Sequence, residues 1–300
     1  MLTIVIPSYN HSAYVLGCID AAAIVNIPGT KIIVVDDGST DGTVNLIQRY
    51  IEDNQLAHKV SLITKPNAGL VSSLNLALSM IDTEYCFFIA SDDILVPDGV
   101  EKLFTEISHG QYKFVIGGGE YFFEDGRKGL VYRKDHERFF SLSEEARELE
   151  MFTDYPSPIL LQSTIFRTEA LRGIGGWDPT LKLDDYPMFI KLFQKYGQRG
   201  KGFDFKADIT AVRYRQHETN SYKNAVSQFF MVRDLIRALA PAQIQQVAIA
   251  KTLAYYSLHS ARIGKFSVVR DLFRSCTWSE CVASVLQAPG VVVKYLRRKK

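Results

Sequence analysis

Between Met1 and about residue 117, short apolar runs rich in β-branched residues alternate with segments of helical spacing. The runs are Leu2–Ile6, Lys31–Val35, Lys59–Thr64, Tyr85–Ala90 and Phe114–Ile116. Between them, Leu46, Ile47, Tyr50 and Ile51, then Leu70, Leu74, Ala77, Leu78 and Ile81, recur at three- and four-residue intervals. Strand, helix, strand repeated in this way predicts the α/β class, with a mostly parallel sheet flanked by helices. Ligands in such sheets bind beyond the carboxyl ends of the strands. The unusual polar clusters of this half fall at those ends.

The first run ends in Pro7-Ser8-Tyr9-Asn10, a turn whose Ser and Asn can bond to backbone or ligand. The second ends in Asp36-Asp37-Gly38-Ser39-Thr40-Asp41-Gly42. Gly38 suits a turn needing positive φ, and Thr40 or Asp41 suits a helix N-cap. Capping accounts for one of these acids, not three. After the third run, Lys65-Pro66-Asn67-Ala68-Gly69 leads into a helix N-terminus, where amide donors suit an anion and Lys65 adds a charge. The fourth run reaches Ser91-Asp92-Asp93 before Pro97-Asp98 opens a helix. Two readings stand for Asp92 and Asp93. They cap that helix, or they meet a cation, and oxygen-only ligands suit Mg²⁺ or Mn²⁺.

Several functions are argued against by what is missing. The first strand is followed by neither GxGxxG nor GxxxxGK[ST], so neither a dinucleotide site nor a P-loop is expected. Acidic rather than glycine-rich strand ends suggest a diphosphate held through a metal. A formal charge of +2, with no aromatic-basic interleaving, argues against nucleic acid. No apolar segment reaches the roughly 18 uninterrupted residues of a membrane span, and Met1 leads directly into a strand, a beginning that predicts no secretory leader. Cys18, Cys86, Cys276 and Cys281 form no CxxC pair and read as reduced core thiols, so a cytoplasmic protein is expected.

Further on, residues 112–134 read as hairpin material with Asp125-Gly126 as the turn. Ser143–Phe152 reads as an exposed helix, and Gln162–Arg167 as a strand. In Gly175-Gly176-Trp177-Asp178, glycines beside an indole can close on a flat ligand such as a sugar; a packed tryptophan is the plain alternative. Asp184-Asp185 opens a helix buried through Met188, Phe189, Leu192 and Phe193. From Tyr222 onward the chain reads as helical, punctuated by Gly264 and Pro289. Its tail, Val291 to Lys300, joins an apolar patch to a basic cluster. Such a tail can rest on an anionic membrane surface, and it can equally be a packed helix with a solvated end.

Taken in this order, the clusters resemble the family 2 glycosyltransferases over about residues 2–221. The motifs carrying the resemblance are Pro7-Ser8-Tyr9-Asn10, Asp36-Asp37-Gly38-Ser39-Thr40-Asp41, Asn67-x-Gly69 with Asn75, and Ser91-Asp92-Asp93. They continue in Gly175-Gly176-Trp177-Asp178, Asp184-Asp185-Tyr186 and His217-Glu218-Thr219-Asn220-Ser221. The resemblance implies a GT-A fold, the Rossmann-like fold of nucleotide-diphospho-sugar transferases. Residues 1–221 would be the catalytic domain, its nucleotide half about 1–117 and its acceptor half about 118–221. Residues 222–300 would be a helical extension with a basic tail.

By the same resemblance, Pro7, Ser8, Tyr9, Asn10, Asp36, Asp37, Lys65, Asn67, Gly69, Asn75 and Ser91 would line the nucleotide-sugar pocket. Asp92, with Asp93 beside it, would hold a divalent Mn²⁺ or Mg²⁺, although Ala90 stands where the motif's first acid belongs. Arg215 and His217 would close over the diphosphate. Gly175, Gly176, Trp177 and Asp178 would meet the acceptor. Asp185 would be the catalytic base and Asp184 its acidic neighbour. The implied donor is a nucleoside-diphosphate sugar, a UDP-sugar foremost, and the implied acceptor a saccharide or lipid-linked saccharide. The implied reaction is an inverting transfer in bacterial surface polysaccharide or other glycoconjugate synthesis. A sugar-nucleotide pyrophosphorylase would need a glycine-rich, arginine-containing loop where Pro7–Asn10 stands. A catalytically inactive sugar-nucleotide binder would not need two intact acid pairs.

Overall fold

The computed structural model describes residues 1–123, 125–216 and 224–297, with side chains as far as Lys294. The chain forms two compact units. The first comprises Met1–Ser141, Pro158–Thr180 and Asp184–His217; the second comprises Leu142–Ser157, Leu181–Leu183 and Glu218–Lys300. The division is thus not one cut near residue 221, because residues 142–157 go with the helical unit.

The strands, in chain order, are β1 (Leu2–Ser8), β2 (Lys31–Asp36), β3 (Val60–Thr64), β4 (Tyr85–Phe88), β5 (Ile94–Leu95), β6 (Phe114–Phe123), β7 (Lys128–Leu130), β8 (Thr164–Arg167) and β9 (Phe203–Gln216). The helices are α1 (Val15–Ala23), α2 (Thr43–Asp53), α3 (Leu70–Met80), α4 (Pro97–His109), α5 (Lys134–Phe140), α6 (Glu144–Thr153), α7 (Thr168–Gly173), α8 (Asp185–Tyr196), α9 (Ala225–Leu239), α10 (Ala242–Arg262), α11 (Phe266–Arg274) and α12 (Trp278–Arg297).

In the first unit, the described residues build a nine-stranded sheet in the order β3-β2-β1-β4-β8-β6-β9-β5, with β7 paired to β6. The expected parallel pattern holds for β1 to β4. Beyond β4 the sheet is mixed: β8 runs antiparallel to both β4 and β6, and β9 runs parallel to β6. The strands β1 and β2 are almost wholly buried, as continuous Val/Ile runs covered on both faces should be. Register aligns the strand ends. Ser8 pairs with Asp36, and Asp36 with Thr64, so the loops after β1, β2 and β3 leave one edge together.

The sequence pattern does not announce the long strand β9. Lys206, Asp208, Arg213 and Arg215 dilute its apolar content, yet Phe203 and Phe205 alternate with polar neighbours and Phe203 is fully buried. Period two was the available signal. The glycine run of β6 lies against β9, and a Cβ on Gly118 would come within 2.4 Å of the Ala207 carbonyl oxygen. The hairpin formed as expected, with Gly126 at φ +83° in the turn between β6 and β7.

Under β6, β8 and β9 the core is aromatic. Phe114 stacks on Phe203 at 5.4 Å, and Phe189 and Phe193 of α8 close on Phe114 at 6.4 and 5.7 Å. Aromatic pairs contribute about 0.5–1.5 kcal/mol each beyond burial. This packing fixes the axis of α8, and hence where its first residue, Asp185, stands.

The second unit is helical, as expected. Phe229, Leu235, Ile236, Ala248 and Leu253 fill its core. Gly264, at φ +74°, follows the end of α10. Pro289 does not interrupt the last helix: it lies within α12. That helix starts at a reciprocal cap, in which the Thr277 amide donates to the Glu280 carboxylate at 2.8 Å and the Glu280 amide donates to Thr277 Oγ1 at 3.3 Å. The helix at residues 143–153 also formed, with Ser143 capping it, but Arg147, Met151 and Phe152 are buried rather than exposed.

Candidate active site

The carboxyl edge of the parallel strands gathers the nucleotide-side expectations. Asp36 is fully buried, and its oxygens accept from the Ser39 amide at 2.8 Å and the Ser39 hydroxyl at 2.5 Å. It shapes the turn. Asp37 accepts from the amides of Ala68 and Gly69 at 2.9 and 2.8 Å and pairs with Lys65. The anion that the α3 N-terminus invites is therefore supplied by the chain itself, and Lys65 is engaged with it. Gly38 lets these two loops close: it stands at φ +76°, and a Cβ there would lie 2.8 Å from the Asn67 amide nitrogen. Gly38→Ala should cost about 1–3 kcal/mol, read as a lower denaturant midpoint with unchanged slope. An unchanged midpoint would refute this role.

After β1, Asn10 (φ 53°) donates its amide to Ser39 Oγ at 2.8 Å and accepts from the Thr40 amide at 2.8 Å. Tyr9 stays exposed, at 46%. Ser8 is buried, and its Oγ has no hydrogen-bond partner among the described residues. A buried hydroxyl without a partner carries a desolvation cost, which a ligand in this edge can relieve. His11, missed by the sequence reading, joins Ser91 through its Nδ1 at 2.7 Å. It links the loop after β1 to the acid turn after β4, and its only sequence signal is adjacency to Pro7–Asn10.

The helix-cap reading of Asp92 and Asp93 is excluded. The N-cap of α4 is Val96, and no side chain caps that helix. Asp93 is buried at 2% exposure; it accepts from the Arg215 amide at 2.8 Å and from Gln162 Nε2 at 3.1 Å. Burial first, then the adjacent Asp92 charge, push its carboxyl well above the usual range. Asp92 is partly exposed, and its backbone carbonyl accepts from Arg215 Nε at 2.7 Å. The Arg215 guanidinium sits over the rings of Tyr14 and Phe122 at 4.8 and 4.5 Å. Arg215 thus clamps the acid turn. His217 lies outside the described residues.

The second acid pair meets the first. Asp185 Oδ1 accepts from the Leu161 amide at 3.3 Å, while the next residue, Gln162, reaches Asp93. Leu161–Ser163 is a 3₁₀ turn leading into β8, so one turn touches both acids. Burial, then the neighbouring Asp184, then the more distant Asp93 raise the Asp185 carboxyl well above the usual range. Burial also raises Asp184. Asp184 holds the N-cap position of α8 without a side-chain capping bond. The exposed helix amides, which alone would acidify Asp185, are outweighed.

The glycine–tryptophan stretch requires a correction. Trp177 is only 3% exposed and packs on Phe88 at 5.1 Å, so its ring offers no face to an acceptor. Asn75 holds this stretch in place: it donates to the Trp177 carbonyl at 2.8 Å and accepts from the Trp177 amide at 2.9 Å. Gly176 makes room for that contact, since a Cβ on it would meet the Asn75 side-chain oxygen at 2.6 Å. Asp178 accepts from Thr180 in its own turn, and Gly175 stands at φ +78° beside it.

A divalent ion can be weighed against this donor set. Among the described residues, no three His, Cys, Asp or Glu side chains converge as a metal cage. Mg²⁺ and Mn²⁺ bound with substrate phosphates need only one or two protein carboxylates. Asp92 fits that need, and Asp93, committed to Arg215 and Gln162, fits the part of its support. Gln162→Leu strips the side-chain donor from a buried carboxylate. Turnover should fall about 10- to 100-fold, the scale of a hydrogen bond to a charged group. Unaltered steady-state kinetics would remove Gln162 from the site.

Comparison with known proteins identifies the family and the fold. The family model described as Glycosyl transferase family 2 matches residues 3–169. Over 131 residues the chain is 30% identical to the glycosyltransferase GlyA of Streptococcus pneumoniae serotype 4, covering 44% of this chain and 18% of GlyA. Over 106 residues it is 34% identical to the chondroitin synthase of Pasteurella multocida, covering 35% of this chain and 11% of that protein. The matched segments are thus a small part of these relatives. Among solved structures, Staphylococcus aureus TarS 1–349 in complex with UDP-GlcNAc superposes with a TM-score of 0.61 at 15% identity, covering 99% of this chain and 91% of that one. The mannosyltransferase PcManGT of Pyrobaculum calidifontis, in complex with GDP-Man and Mn²⁺, gives 0.57 at 15% identity, covering 100% and 88%. At these identities the likeness establishes the GT-A fold.

Proposed function

The chain belongs to glycosyl transferase family 2, and from that premise we propose that it moves a sugar from a nucleoside-diphosphate sugar to an acceptor hydroxyl in one displacement with inversion. The observation that carries this reading is the Leu161-Gln162 turn, which ties the Asp92-Asp93 turn to Asp185 at one end of the sheet. One acid pair faces a diphosphate; the other faces a hydroxyl.

In this reading the exposed Tyr9 ring and the unpartnered Ser8 hydroxyl receive the base and ribose, with Asp37, Asn67 and Gly69 shaping the same pocket. Asp92 would hold a Mn²⁺ or Mg²⁺, which when bound neutralises charge on the diphosphate. Arg215 keeps the acid turn in place. At the sugar, the acceptor oxygen bonds to the anomeric carbon as the bond to the diphosphate oxygen breaks. That electron pair leaves with the diphosphate, and the acceptor proton passes to Asp185. A carboxylate whose affinity for protons is raised by burial and a like charge is better suited to that step than an ordinary one.

The sign of the pH effect follows. Asp184 raises Asp185, so Asp184→Asn should shift the acidic limb of the kcat profile to lower pH. A limb that stays or moves upward would refute the coupling.

The relatives' names support a role in bacterial surface polysaccharide or related glycoconjugate synthesis, with UDP-sugars first among donors to try. Thermal shifts with UDP-, GDP- and dTDP-sugars, with and without Mn²⁺, test the donor class. A donor at 100 times its dissociation constant stabilises the folded state by about 2.7 kcal/mol. The proposal expects such a shift for at least one donor, larger with metal. No shift with any would overturn it.

A further inference from the structure

The last helix has a face that nothing in its own unit covers. Trp278, Val282, Val285, Leu286, Val292 and Val293 are all exposed, Trp278 at 83% and Leu286 at 74%. Their spacing puts them on one side of α12, over about 23 Å at 1.5 Å per residue. Glu280 and Ser284, on the other side, are buried, and α12 packs there against α10. So long an apolar stripe on a soluble surface marks an interaction site.

Charge identifies the occupant. From Trp278 to Lys300 the only acid is Glu280, which is bound to Arg237 at 3.0 Å. The same stretch carries Lys294, Arg297, Arg298, Lys299 and Lys300, and Lys294 pairs with Asp154 at 2.5 Å. A second copy laid on this face would bring like charges, and the one acid of its α12, Glu280, is buried and already bound to Arg237. An anionic lipid surface offers both an apolar layer and negative charge. No described helix is long and apolar enough to cross a membrane, and α12 carries its apolar residues on one face, as a helix lying in the interface does. Trp278 is of the residue type enriched at that depth.

We propose that α12 docks the protein onto an anionic bilayer, its apolar stripe in the headgroup layer, with the basic residues of the tail sequence adding attraction to acidic lipid. The apolar face, and not only the basic tail, makes the contact. This goes beyond the transferase reading and does not depend on it.

The test is flotation of the full chain with vesicles of phosphatidylcholine alone and of phosphatidylcholine with phosphatidylglycerol. Binding should be at least about ten-fold stronger to the anionic vesicles and should weaken in high salt. Leu286→Glu, at a solvent-exposed position, should reduce it at least about ten-fold at an unchanged melting temperature. Failure to float with anionic vesicles would overturn the proposal. So would undiminished binding of Leu286→Glu, or a dimer in sedimentation that Leu286→Glu splits. Donor-induced thermal shifts on the same samples keep a failure here separate from a failure of the transferase reading.

Discussion

Asp185→Asn should abolish sugar transfer while making the protein harder to melt. Loss of the base is expected to lower kcat by about 10²–10⁴, the usual contribution of a positioned proton acceptor. Donor binding should survive, because Asp185 faces the acceptor in this account and the nucleotide contacts lie on other strand ends. The stability gain follows from the same electrostatics. Burial and Asp184 raise the Asp185 carboxyl, so its ionised form opposes folding at neutral pH. A group raised in the folded state stabilises fully below its unfolded pKa, and that contribution is lost as pH rises through the folded value. An amide has no charge to bury, so the mutant should gain most at pH 7–8 and nothing below about pH 4. A rise in melting temperature of about 2–4 °C corresponds to about 1 kcal/mol in a domain of this size. Melting curves across pH, run beside activity, check both halves. A mutant that loses activity and also melts earlier at neutral pH would indicate a structural role for Asp185 instead.

Asp92→Asn should separate metal-dependent binding from folding. Asp92 is partly exposed, and the Arg215 bond to this residue uses its backbone carbonyl, so substitution leaves the clamp in place. The fold should persist, and Asp93 is relieved of a like charge that now raises it. Transfer should fall by about 10²–10³, the scale of losing one electrostatic stabiliser of a developing anion. Calorimetry with a nucleoside diphosphate and Mn²⁺ should show the metal-dependent part of binding gone. Undiminished metal dependence in Asp92→Asn would move the ion elsewhere.

The parallel half of the fold was legible because burial on both faces forces continuous Val/Ile runs, as in β1 and β2, and leaves acids only where strands end. The acids of both pairs stood out in the sequence, but whether they cap helices did not: Val96 holds the N-cap of α4, and Asp184 stands at the N-cap of α8 without a side-chain capping bond. What was not legible depends on contacts between distant segments. The Lys65 partner of Asp37 is one case, and the Gln162 bond to Asp93, 69 positions away, is another. Trp177 misled because glycines beside an indole fit an open platform and a packed ring equally; burial on Phe88 decided it. The strand β9 escaped because its charged residues mask the alternation, although it carries Arg215 to the acid turn.

If Asp185 draws a proton from an oxygen attacking opposite the diphosphate, water can stand in for the acceptor. Slow hydrolysis of an α-linked UDP-, GDP- or dTDP-sugar with Mn²⁺, followed by proton NMR as the sugar is released, reads this directly. The β anomer should appear first, and Asp185→Asn should release none. Initial release of the α anomer, or equal hydrolysis by Asp185→Asn, would contradict this mechanism.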